Sequence, residues 1–110
     1  MEKQIQIVVK EAALNDLEKE CLYLAENYSV RYAEKFRLAF FEQIVTILPN
    51  PLKYPECRFL PTKRKMYRNI IWQNYLIIYK VKKLVVEVLI LFHTKQRPAK
   101  LKAIKKGRLQ

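Results

Sequence analysis

Pro49, Pro51, Pro55 and Pro61 fall close together and divide the chain into two stretches with different hydrophobic periods. Proline has no backbone N–H to donate and its ring clashes with a preceding helical turn, so neither a helix nor a central strand runs through such a segment. Residues 49–65 are therefore read as a connector. Before it, Leu14, Leu17, Cys21, Leu24 and Tyr28 step by three and four, and Ala33, Phe36, Phe40, Ile44 and Ile47 repeat the pattern. That is the spacing of one helix face. Asn27-Tyr28-Ser29 lies between the two stripes as a tight connection, with Ser29 suited to cap the second helix. The expectation is an antiparallel helical hairpin.

After the connector the period shortens. Met66 to Trp72, Tyr75 to Val81 and Val85 to Phe92 are rich in β-branched and aromatic residues, the composition of strands. Gln73-Asn74 and Lys82-Lys83-Leu84 separate them at hairpin distances, which predicts a meander. At the other end, Gln4-Ile5-Gln6-Ile7-Val8-Val9 alternates and then turns wholly apolar, as a short strand does. It must pair with a later strand, because a lone strand leaves its backbone groups unsatisfied. The fold expected is α+β in the order β-α-α-β-β-β, a helical hairpin packed on one face of a mostly antiparallel four-stranded sheet. Leu14, Leu17, Phe36, Phe40 and Ile44 should meet Ile70, Ile78, Val88 and Ile90 in the core. At 110 residues the chain has room for one such domain, placed at 1–98. The segment 99–110 is a basic C-terminal tail in which Leu101, Ala103 and Ile104 sit among five cations, either a short helix on the sheet or a frayed arm.

Charge follows the same division. Residues 1–56 carry seven Lys/Arg and nine Asp/Glu, net −2, while residues 57–110 carry fifteen Lys/Arg and the single acid Glu87, net +14. A nearly acid-free half suggests a face that meets a polyanion or an acidic protein. Scarcity excludes other chemistry. Gly107 is the only glycine, so no P-loop or dinucleotide fingerprint is present and no nucleotide cofactor is expected. One histidine and two cysteines are too few for a usual zinc site, and the basic half lacks the carboxylates of two-metal phosphoryl chemistry, so no metal is expected. Cys21 and Cys57 read as reduced thiols. Leu84 to Phe92 is interrupted by Glu87 and falls far short of the roughly 20 residues of a membrane span. With no signal-like start, the expected location is cytoplasmic.

Several short motifs, in order, resemble the RelE/ParE superfamily of toxins from type II toxin–antitoxin (plasmid stabilisation) modules. Ala13-Leu14-Asn15-Asp16-Leu17-Glu18 is similar to that family's first helix. Met66-Tyr67-Arg68-Asn69-Ile70 followed by Tyr75-Leu76-Ile77-Ile78-Tyr79-Lys80-Val81 resembles its middle hairpin. Val86 to Phe92 followed by His93-Thr94-Lys95-Gln96-Arg97-Pro98 resembles its last strand, which in ParE-like members ends in a histidine, basic residues and often proline. The resemblance implies one of two activities. RelE-like members are metal-independent endoribonucleases that cut mRNA on the ribosome, using lysines, arginines and often a tyrosine or histidine. ParE-like members poison DNA gyrase and have lost that cluster. Both are held inactive by a cognate antitoxin, here expected to be acidic with apolar anchors and to lie along a sheet edge and the helix surface.

The candidate site residues follow. Lys63-Arg64-Lys65, with Arg68 close behind, is either a grip for RNA, an acidic antitoxin or another target, or a solvated loop. His93, Lys95 and Arg97 alternate, so on an extended strand they share a face, which would suit proton transfer and charge stabilisation at a phosphate. Under the ribonuclease alternative, His93, Lys95, Arg97 and Arg68 are the catalytic set. Arg68 either projects into the same concavity as Lys95 or snorkels at the sheet edge. Tyr75 and Tyr79 share a strand face, as a stacking platform or as core aromatics. Ile71 or Trp72 stands where RelE-like nucleases tend to carry a further arginine, and this favours the ParE-like branch.

Overall fold

The structure, a computed structural model, describes residues 4–95. Its elements are β1 (Gln6–Val9), α1 (Glu11–Asn27), α2 (Val30–Val45), β2 (Tyr67–Trp72), β3 (Tyr75–Val81) and β4 (Val85–His93). The sheet order is β1-β4-β3-β2. β1 runs parallel to β4, from Gln6↔Val85 to Val9↔Val88, and the other pairings are antiparallel. The α+β architecture and element order are those expected. Arg97 and the basic tail lie outside the described residues.

Local chemistry accounts for the helical hairpin. The Ser29 side chain accepts from Tyr32 N at 3.0 Å and starts α2, which buries Ala33, Phe36, Phe40 and Ile44 as their spacing predicts. α1 buries Ala13, Leu17, Cys21 and Leu24. Leu14, expected in the core, is 39% exposed, and Tyr28 is 69% exposed. Positions 13 and 14 both satisfy the helical period relative to Leu17, and the fold selects the smaller side chain for the face turned to the sheet. There α1 leans on β4, and the Asp16 carboxylate accepts the Leu91 N–H at 3.1 Å. β1 covers β4 only as far as Val88, so Asp16 serves a strand edge that has run out of partner.

A β-bulge decides which side chains share a core. The β3–β4 register steps from Ile78↔Ile90 to Tyr79↔Val88, which leaves Leu89 as the extra residue. Val88 and Ile90 are two apart yet face opposite sides. Leu17, Phe36, Phe40, Ile44, Ile70 and Val88 form the core beneath the helices, together with Ile77, Tyr79 and Leu91. Ile78 and Ile90, expected there, instead pack on the far face with Cys57, Leu60, Tyr67, Leu89 and Phe92. The connector, through Cys57 and Leu60, covers this part of the far face, while Ile71 on the same face stays exposed.

Connector residues also cover one strand edge. Cys57 N donates to Tyr67 O at 2.8 Å, Asn69 N donates to Pro55 O at 3.1 Å, and Glu56 forms an isolated bridge with Arg68. The β2 edge is thus paired over part of its length. Both cysteines are free and buried, and burial pushes their thiols up, so each stays protonated as an ordinary core residue.

Candidate functional site

The basic half gathers at the end of the sheet where β3 turns into β4. Val81 N donates to Met66 O at 2.7 Å, bringing the residues before β2 against the β3–β4 turn. Lys65 N donates to Thr62 O at 3.1 Å and Met66 N to Thr62 Oγ1 at 3.2 Å, fixing a tight loop in which Lys65 takes φ 52°. The result is a concavity of about 360 Å³ lined by Arg64, Lys65, Lys80, Lys82 and Lys83 with Leu52, Met66 and Val81. Lys63 is exposed on the same loop but does not line it. Lys80, Lys82 and Lys83 were not among the candidates, because their approach to Arg64 and Lys65 follows from strand register and not from spacing in the chain.

Glu87 is the local counter-charge. Its carboxylate lies 3.2 Å from Lys82 Nζ and 3.5 Å from Lys10 Nζ. Burial pushes the Glu87 carboxyl up, but the hydrogen bond and charge of Lys82, aided by Lys10, outweigh it and hold the group below the usual carboxylate range. With one carboxylate shared by two lysines, Arg64, Lys65 and Lys83 have no salt-bridge partner among the described residues, which leaves their charge available.

Arg68 does not belong to that available set. Its Nη1 donates to Leu52 O and Tyr54 O, both at 2.9 Å, and its Nε to Lys65 O at 3.1 Å. Beside it, the buried Tyr79 hydroxyl donates to Pro51 O at 2.7 Å. A proline-rich segment has carbonyls with too few N–H groups of its own to match them, and these two side chains collect the excess. Burial, more than any neighbouring charge, pushes the Tyr79 phenol far above its ordinary value and keeps it a donor. Arg68 therefore neither reaches toward Lys95 nor snorkels at an edge.

His93 and Lys95 stand at the opposite end. Tyr75↔His93 is the last β3–β4 pair, and seven-residue β3 separates it from Val81 at the basic end, about 20 Å at ~3.3 Å per residue. β4 stops at His93 and the chain turns, with Lys95 N donating to His93 Nδ1 at 3.1 Å. The extended strand that would place His93 and Lys95 side by side is not continued. His93 instead packs edge-on against Tyr75, 5.0 Å between ring centroids. Tyr75 and Tyr79 do share a face, but they are 8% and 0% exposed, which makes them core aromatics. Trp72 stacks on Phe36 at 4.8 Å, and Ile71 is 70% exposed. Among the described residues, the histidine and the Lys63–Lys65 cations do not converge on one reacting atom.

These features define a small α+β domain with cations clustered at one end of its sheet. Residues 7–98 match the family described as the ParE toxin of type II toxin–antitoxin system, parDE, and the chain belongs to that family. A solved structure titled "Chromosomal ParDE TA system from P. aeruginosa" superposes with a TM-score of 0.68 at 13% identity, covering 82% of this chain and 96% of that chain. At that identity the likeness is one of fold. No curated protein sequence matches the chain.

Proposed function

We propose that this ParE-family toxin inhibits DNA gyrase by binding and not by cutting RNA, and that an acidic antitoxin neutralises it. The observation that carries this reading is the separation of the five-cation concavity from His93 by most of the length of β3. Metal-free phosphodiester cleavage needs its proton-transfer group and its cations at one phosphate, whereas contact with an extended anionic or acidic surface does not. Arg68, committed to three backbone carbonyls, further weakens the catalytic alternative. The antitoxin reading rests on the same cations, together with the outward apolar side chains Leu22, Leu38 and Val45 on the helices, which suit an acidic partner with apolar anchors.

Purified protein added to a gyrase supercoiling assay is expected to block supercoiling and, in a parallel translation reaction, to leave mRNA intact. The double variant Arg64→Glu, Lys83→Glu should lose at least tenfold in inhibition while keeping its melting temperature. Codon-register mRNA cuts that disappear in His93→Ala would overturn the binding reading. Co-expression with the adjacent short gene should yield a stable complex and relieve toxicity.

A further inference from the structure

The end of the sheet opposite the basic concavity carries a second recess with the reverse character. It measures about 440 Å³ and is lined by Glu20, Tyr23, Tyr28, Tyr32, Tyr75 and His93, among others. Three of the tyrosines are exposed, Tyr23 at 53%, Tyr28 at 69% and Tyr32 at 46%. Tyr28 and Tyr32 meet edge to face at 5.6 Å, and Tyr75 and His93 do so at 5.0 Å. The Tyr75 hydroxyl donates to the Glu20 carboxylate. Among the described lining residues Glu20 is the only acid, and no described lysine or arginine forms a salt bridge with it.

In a chain of net charge +12, an aromatic recess whose carboxylate has no ion-pair partner among the described residues is complementary to a cation. Tyrosine faces attract a cation through their quadrupoles, and a carboxylate accepts several hydrogen bonds, of which Tyr75 uses one. A planar guanidinium fits both parts, stacking on a phenol ring while donating to Glu20. Tyrosines left in water on two adjoining helices are also the residue type on which protein contacts concentrate. We propose that this recess receives an arginine side chain of a partner protein. The site stands on different residues from the basic concavity and is independent of what that surface binds.

The test is a titration of the isotopically labelled full chain with N-acetyl-L-arginine amide, followed by amide chemical shifts. Saturable shifts confined to the neighbourhood of Glu20, Tyr28, Tyr32 and His93 are expected. Glu20→Gln should weaken binding about tenfold, the loss of one charge-assisted hydrogen bond. Tyr28→Ala should weaken it about threefold, and because Tyr28 is exposed this variant keeps the test valid if Glu20→Gln disturbs folding. Shifts that fail to saturate, or that scatter over the whole surface, would overturn the proposal. Equal binding of N-acetyl-norleucine amide would assign the recess to an apolar side chain, and equal binding of tetramethylammonium to a small quaternary ammonium ligand. A concentration-dependent dimer that Tyr28→Ala abolishes and that excess N-acetyl-L-arginine amide does not dissociate would assign it to a second copy of the chain bound without an arginine. Each of these results excludes the arginine partner.

Discussion

Arg68 shows how far a residue's role depends on what its neighbours lack. In the sequence it is one cation among fifteen in the basic half, three residues beyond a Lys-Arg-Lys run, and nothing in its spacing separates it from a phosphate contact. In the fold it satisfies carbonyls that the prolines leave without N–H partners. Arg68→Ala is expected to destabilise the domain by about 1–2 kcal/mol, since it strips charge-assisted hydrogen bonds from three carbonyls, of which that to Tyr54 is part-buried. Lysine at this position should recover less than half of the loss, because a single ammonium cannot reproduce the guanidinium's fork. Chemical denaturation of the three proteins checks this. A variant that keeps wild-type stability while losing target inhibition would return Arg68 to the binding surface. The prolines were visible in the sequence, but which side chain answers them depends on Arg68 facing the same side as Tyr79, a matter of register.

Elements were legible where one period persisted, and less so where it broke. Ser29, the α2 stripe and the meander turns could be found from spacing because each rests on chemistry within a few residues. Ala13 was missed in favour of Leu14 because both lie on the inward arc, and only the approach of β4 separates them. The opposed faces of Val88 and Ile90 were hidden because one inserted residue, Leu89, reverses the alternation in an otherwise apolar run. The tyrosine recess was missed because its residues come from both helices and from the strand ends. The β2–β3 turn offers a prediction at this scale. Gln73 adopts φ 54°, a region where a Cβ is costly, and the chain has no glycine before residue 107. Gln73→Gly should stabilise the domain by up to ~1 kcal/mol, raising the melting temperature by about 4 °C, measurable by calorimetry. A fall in melting temperature would show that the side chain contributes more than the backbone conformation costs.

Across the described residues charge is polarised, with cations at the β3–β4 turn, tyrosines and Glu20 at the β2–β3 turn, and Glu87 paired with lysines at the basic end. Because the folded state lowers the Glu87 pKa, its ion pairs add stability above the ordinary carboxylate value, and that stability is lost as pH falls through the lowered value. Glu87→Gln should therefore cost about 1 kcal/mol at pH 7, with the difference from wild type shrinking as pH drops below ~4. Denaturation curves at pH 7, 4.5 and 3 check it, and a constant offset across all three would rule out the ion pairs as its source. Finally, the parallel pairing of β1 with β4 has a consequence for how the protein is made. Gln6 finds its partner only at Val85, so the sheet joins the first described strand to the last. Loop closure across such a separation is slow compared with forming a local hairpin, and during synthesis β1 must wait until β4 has left the ribosome. A nascent toxin is thus unable to complete its sheet until nearly all of its described residues exist, leaving an interval in which a partner present at the site of translation can engage it before it is fully assembled.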